Sequence, residues 1–164
     1  MTRRLLAAVL LVFALSACGG TTVKKPPQPS AVETHWRSGI ITWNASMLRA
    51  IDGISVIFSR PSSVRAIEGS ERKTTLLLVR FENTLTGCAA AVHRLGDPPA
   101  TLAAARHEAL RACAALQQGA ALIRLGVRQF QHGLGFDLLT RSSDALAAGQ
   151  DSLRRVKLDL RPTG

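Results

Sequence analysis

The chain contains no tyrosine, and only two tryptophans and five phenylalanines among its 164 residues. A phenol is therefore excluded from any site chemistry. Long apolar runs are also missing. The stretch Leu5–Leu15 holds eleven apolar residues in succession. As a helix it rises only ~17 Å, about half the ~30 Å hydrocarbon thickness of a bilayer, which excludes it as a lasting membrane span. Apolar and polar residues alternate with a period of two for no more than a few residues at a time, which argues against sheet. The segment Leu76-Leu77-Leu78-Val79 is apolar enough for a strand but sits inside a longer helical period. No repeat of solenoid length occurs.

Catalytic signatures are scarce as well. The chain has no G-x-S-x-G elbow, no glycine-rich phosphate loop, no close acidic pair and no C-x-x-C-H haem attachment. Paired Glu-x-x-His motifs of di-iron bundles are absent too. Ser70-Glu71-Arg72-Lys73 spells S-x-x-K, in which a serine at a helix start and a lysine one turn later form a nucleophile. The partner motifs S-D-N and K-T-G are missing; Ser143-Asp144-Ala145 and Lys73-Thr74-Thr75 are fragments of them. Ser70 is better explained as a helix cap. His107-Glu108 begins like the zinc motif H-E-x-x-H, but position 111 is arginine, so the second ligand is lacking. Of the four histidines, His35, His93, His107 and His132, only His93 and His107 flank one corner, where a metal bridge competes with exposed or capping roles. The expectation is a protein without catalytic residues, without a cofactor and without a metal ligand set.

Acidic residues are few: 11 against 21 lysines and arginines, a formal net charge of +10 and a pI near 11.2. In a cytosolic protein that balance would suggest nucleic acid. The arginines are scattered, and only Arg154-Arg155-Val156-Lys157 forms a tight cluster. Solvated helix faces explain that distribution.

What is present at the start of the chain is specific. Arg3 and Arg4 precede the eleven-residue apolar run, and Leu15-Ser16-Ala17-Cys18-Gly19-Gly20 follows it. The charged end, the apolar core and the small residues together read as a signal peptide. Leu15-Ser16-Ala17-Cys18 resembles the lipobox of bacterial membrane lipoproteins. That resemblance implies that residues 1–17 are removed and that the Cys18 sulfur receives a diacylglyceryl group. Several acyl chains on one residue hold a protein stably at a bilayer, where a single chain would be marginal. By the same resemblance, glycine after the cysteine is compatible with the outer membrane, and the outer face of a single cell membrane fits equally. Removal of residues 1–17, which include Arg3 and Arg4, would leave 147 residues at net charge +8. An exported protein of that charge meets anionic lipid headgroups, acidic envelope polymers and envelope proteins instead of nucleic acid.

Residues 18–34 read as the lipidated cysteine with a linker, because Gly19–Glu33 carries three prolines, two lysines and no large apolar side chain. Such a segment reaches ~35–45 Å. Residues 35–161 read as an all-α antiparallel bundle of about four helices. The first stripe is Ile40, Trp43, Met47, Ala50, Ile54 and Ile57, ending at Arg60-Pro61. Trp36 and Trp43 either fill the core or form an aromatic edge against a membrane or partner. The second stripe is Leu78, Phe81, Leu85, Cys88, Val92 and Leu95, ended by Gly96-Asp97-Pro98-Pro99. The third begins near Ala100 and carries Cys113, Leu116, Ala120, Ile123, Val127 and Phe130, with a kink expected at Gly119 or Gly126. It stops at His132-Gly133-Leu134-Gly135. The fourth carries Leu139, Leu146, Leu153, Val156 and Leu160, stopping at Arg161-Pro162.

If Cys18 carries lipid, Cys88 and Cys113 remain as a pair in an oxidising compartment, on the stripes of consecutive helices. A disulfide between them requires the Pro-Pro connection to climb ~10 Å beyond the end of the second helix before turning. The alternative is two buried thiols. Two functional classes follow. The first is a lipid-anchored, non-enzymatic helical interaction or structural module of the cell envelope. The second is an envelope ligand or metal sensor with a polar pocket lined by His93 or His107. A filled apolar interior favours the first.

Overall fold

A computed structural model describes residues 28–58, 71–130 and 135–161. Cys18, Ser70 and the expected stops at 60–61 and 132–134 lie outside the described residues. Among those described, five helices and no strand are present. They are α1 Ala31–Phe58, α2 Glu71–Thr86, α3 Cys88–His93, α4 Ala103–Phe130 and α5 Gly135–Asp159, with a 3-10 turn at Ala100–Leu102 before α4. Since α3 continues α2 after a one-residue turn at Gly87, the molecule is an all-α bundle of four helical arms.

The first helix starts at Ala31, inside the segment assigned to the linker. Ser30 explains the difference: its Oγ accepts from the Glu33 backbone N–H at 3.1 Å, and Glu33 places its charge in the first turn. Ser30-Ala31-Val32-Glu33 is a capping-box pattern, legible in the sequence. The second stripe is one arm as expected, but Gly87 divides it into α2 and α3. Gly96 ends that arm with a positive φ of 77°, a left-handed turn that favours glycine.

The expected kink in the third helix is corrected. The helix runs unbroken from Ala103 to Phe130, through both Gly119 and Gly126. These glycines are notches for a neighbouring helix. A Cβ at Gly119 would fall 2.8 Å from Leu146 Cδ2, and one at Gly126 would fall 2.9 Å from Leu139 Cδ2. The reciprocal notch is in α5, where a Cβ at Gly149 would fall 2.6 Å from Leu116 Cδ2. Three residues up α4, from Leu116 to Gly119, match three down α5, from Gly149 to Leu146. Seven more in each direction reach Gly126 and Leu139. That constant register makes α4 and α5 an antiparallel pair whose axes approach closely where the Cβ atoms are missing.

α2 and α4 are antiparallel too, since Cys88 meets Cys113, Leu85 O accepts from Gln117 Nε2 at 2.9 Å and Glu82 meets Arg124. α1 joins through Trp36, whose Nε1 donates to Gly96 O at 3.3 Å, and through Arg37, which donates to Leu160 O. The shared interior holds Trp36, Ile40, Ile51, Leu85, Leu116, Ile123 and Leu153, all at most 2% exposed. Burying each large side chain contributes about 1.5–3 kcal/mol. Both tryptophans belong to this core, Trp43 being 7% exposed, so the aromatic-edge reading is excluded. Ile51, absent from the expected stripe, is buried in place of the half-buried Ala50. Ile51 keeps the 3-and-4 count, four residues after Met47 and three before Ile54, and puts a large side chain on that face.

Gly53 is the counter-case among the glycines. It lies within α1, exposed, and a Cβ there would meet nothing within 4 Å. Gly53→Ala is expected to stabilise the fold by about 0.5–1 kcal/mol, because alanine has the better helix propensity. A raised urea midpoint at unchanged m value is the reading that checks it. A lower midpoint would contradict an open helix surface.

Candidate functional site

The paired cysteines are the sequence-chosen residues that the fold brings together most clearly. The sulfurs of Cys88 and Cys113 stand at bonding distance, with Cα atoms 5.7 Å apart. The connection solves the level problem as expected: Pro99 holds an extended φ, ψ of −54° and 152°, and the 3-10 turn lengthens the climb into α4. Both cysteines are 1% exposed. Met47 Sδ lies 3.4 Å from Cys88 Sγ, and with no thiol hydrogen in a disulfide this is a packing contact. The bond ties α3 to α4 against α1.

His93 and His107 are both exposed. Arg106 donates to His93 Nδ1 at 3.3 Å and to Asp97 at 3.0 Å, on the exposed corner. Among the described residues no group of three or more His, Cys, Asp or Glu side chains is placed to hold a metal. Glu108, the acid after His107, turns inward. It is 9% exposed, with Arg111 at 3.4 Å and Arg155 at 3.9 Å from Oε1. Oε2 has no hydrogen-bond partner among the described residues. The flanking arginines compensate a buried carboxylate that would otherwise be costly.

The concavities lie at the surface. Two adjoining furrows of about 450 and 460 Å³ run between α2 and α4. Leu85, Gln117, Ala121 and Leu125 line one, and Thr75, Leu78, Val79 and Val127 the other. Glu82, Arg124 and Arg128 border both. Glu82 accepts two hydrogen bonds from Arg124, one of them 2.7 Å from Nε. This bidentate pair spans the furrow. The hydrogen bond that Arg124 donates to Glu82, and then the Glu82 charge, hold the Arg124 guanidinium above its ordinary pKa, slightly offset by desolvation. A cation so paired is a strut between helices, and sequence reasoning missed it because the partners lie 42 residues apart.

No described helix is long and apolar enough to cross a membrane. Comparison with family models, curated proteins and solved structures finds no match for this chain.

Proposed function

We propose that the chain is a lipid-anchored cell-envelope protein acting as a non-enzymatic helical interaction or structural module. The observation that carries this reading is the interior. Twenty-two apolar side chains form one buried cluster across all four arms, and the two furrows between α2 and α4 open on the outside. The chemistry-bearing groups support the same view: His35, His93 and His107 are exposed, Glu108 is held between arginines, and the cysteines are joined. A core of this kind gives a rigid body with its binding capacity on its surface. The lipobox Leu15-Ser16-Ala17-Cys18 supplies the attachment, on the extracytoplasmic side of the outer membrane or the cell membrane.

The test is made on protein recovered from envelopes of the producing bacterium. Mature protein beginning at Cys18 and carrying acyl chains is expected by intact-mass measurement, and it should partition into detergent. Cys18→Ser should shift the protein to the aqueous phase without altering its circular dichroism. An unmodified amino terminus, or detergent partitioning that survives Cys18→Ser, would refute the anchor. Crosslinking in the same envelopes then identifies what the exterior binds.

A further inference from the structure

The fold gathers one end of the bundle from three separate segments. The Trp36–Gly96 hydrogen bond places the start of α1 beside the corner after α3. The Arg37–Leu160 hydrogen bond places the end of α5 at the same level. Gly39 receives Leu95 in the same layer. This end is where the chain from Cys18 enters the bundle, at Ala31. The thirteen residues from Cys18 to Ser30 span roughly 43–47 Å at full stretch and less otherwise.

The charge at this end is uneven once internal pairs are removed. Glu33 is paired with Arg37, Asp97 with Arg106 and Asp151 with Arg154, each at 3.0 Å. Arg94, Lys157 and Arg161 are exposed and, like the half-buried Asp159, form no ion pair among the described residues, which leaves three cations against one acid. Leu158, 52% exposed, sits directly after Lys157, one helical turn from Arg154 and from Arg161. An exposed leucine with Lys157 before it, Asp159 after it and Arg154 and Arg161 within a turn has net positive surroundings, which suit the interfacial layer of a bilayer. The stems and the leucine meet the acyl boundary, and the charges reach phosphate.

We propose that this end is a membrane-docking face for anionic phospholipid, so that the bundle stands upright on the lipid surface with Arg94, Lys157 and Arg161 against headgroups. The inference rests on the lipid-anchor reading for its setting, because tethering within ~45 Å raises the effective concentration of the surface into the range where weak docking suffices. The contact itself does not depend on the lipid and can be measured without it.

The experiment uses the chain from residue 18 onward carrying Cys18→Ser, which retains every core residue and has no acyl group. Its binding is measured by co-sedimentation with vesicles of phosphatidylcholine alone and of phosphatidylcholine with an equal part of phosphatidylglycerol. Binding to the anionic vesicles alone is expected, weakening as salt is raised. The triple variant Arg94→Glu, Lys157→Glu, Arg161→Glu should bind roughly a hundred-fold more weakly, at the usual contribution of one cation near a charged bilayer. The matched triple variant Arg49→Glu, Arg80→Glu, Arg141→Glu changes net charge equally but lies about 20–30 Å from this end along the helices, beyond screening distance. It should bind nearly as well as the parent. A second docking-face variant with glutamine at the same three positions keeps the test valid if charge reversal disturbs folding.

Equal loss in both triple variants would mean diffuse attraction of a basic protein and would overturn the proposal. Absence of binding to anionic vesicles would overturn it as well, while leaving the mass of the processed amino terminus to decide the anchor separately.

Discussion

Replacing both Cys88 and Cys113 with alanine lowers stability by about 3–3.5 kcal/mol, the chain-entropy value for a 25-residue loop. For a bundle of this size that is roughly 10–15 °C in Tm. The effect is large because the bond constrains the corner between two helical arms whose unfolded ends would otherwise separate freely. Alanine is the right probe. Both sites are 1% exposed, and serine would add two buried hydroxyls whose desolvation obscures the loop effect. Reduction of the unaltered protein should reproduce most of the fall. Thiol labelling of the denatured, unreduced chain should find Cys88 and Cys113 blocked. Two free thiols in the purified protein, or a Tm insensitive to reductant, would remove the bond from the account of stability.

Gly149→Val should destabilise the fold by about 2–3 kcal/mol, some 6–12 °C in Tm. A Cβ at Gly149 would stand 2.6 Å from Leu116 Cδ2 and 2.8 Å from its Cγ. Leu116 is fully buried, so its branch point cannot swing aside and the helices must part. Valine adds two further methyl groups at the tightest of the three glycine notches between α4 and α5. Its helix propensity is only slightly better than that of glycine, which offsets little of this. The coupling is specific: Leu116→Ala in the same chain should recover part of the loss, even though Leu116→Ala alone is destabilising. Strictly additive losses in the double-mutant cycle would show that Leu116 and Gly149 do not share a notch. The contrast with Gly53→Ala is instructive, since both residues lie within helices and only their neighbours differ.

That contrast also marks how much could be read without coordinates. The stripes of Leu78, Phe81, Leu85, Cys88 and Val92, and of Leu116, Ala120 and Ile123, are local patterns. Burial follows directly from their spacing. The end of the second arm at Gly96 and the pairing of Cys88 with Cys113 also follow from residue type and position. The Ser30–Glu33 cap was legible too, but the prolines before it drew the linker four residues too far. Gly119 and Gly126 could not be interpreted this way, because a glycine inside a helix looks the same whether it bends the axis or admits a leucine. The Glu82–Arg124 strut and the inward turn of Glu108 were equally hidden, being contacts between arms.

Covalent spacing by itself determined that the chain is helical, most of the apolar faces and the end of the second arm at Gly96, because these depend on interactions within a few turns. It also carries Leu15-Ser16-Ala17-Cys18, the stretch whose resemblance to a lipobox underlies the proposed anchor. Only the tertiary structure decided which arms touch, what each glycine admits and which cations are left unpaired at the end where the chain enters. Those outcomes depend on the distance between atoms far apart in sequence, and that distance exists only once the helices have packed.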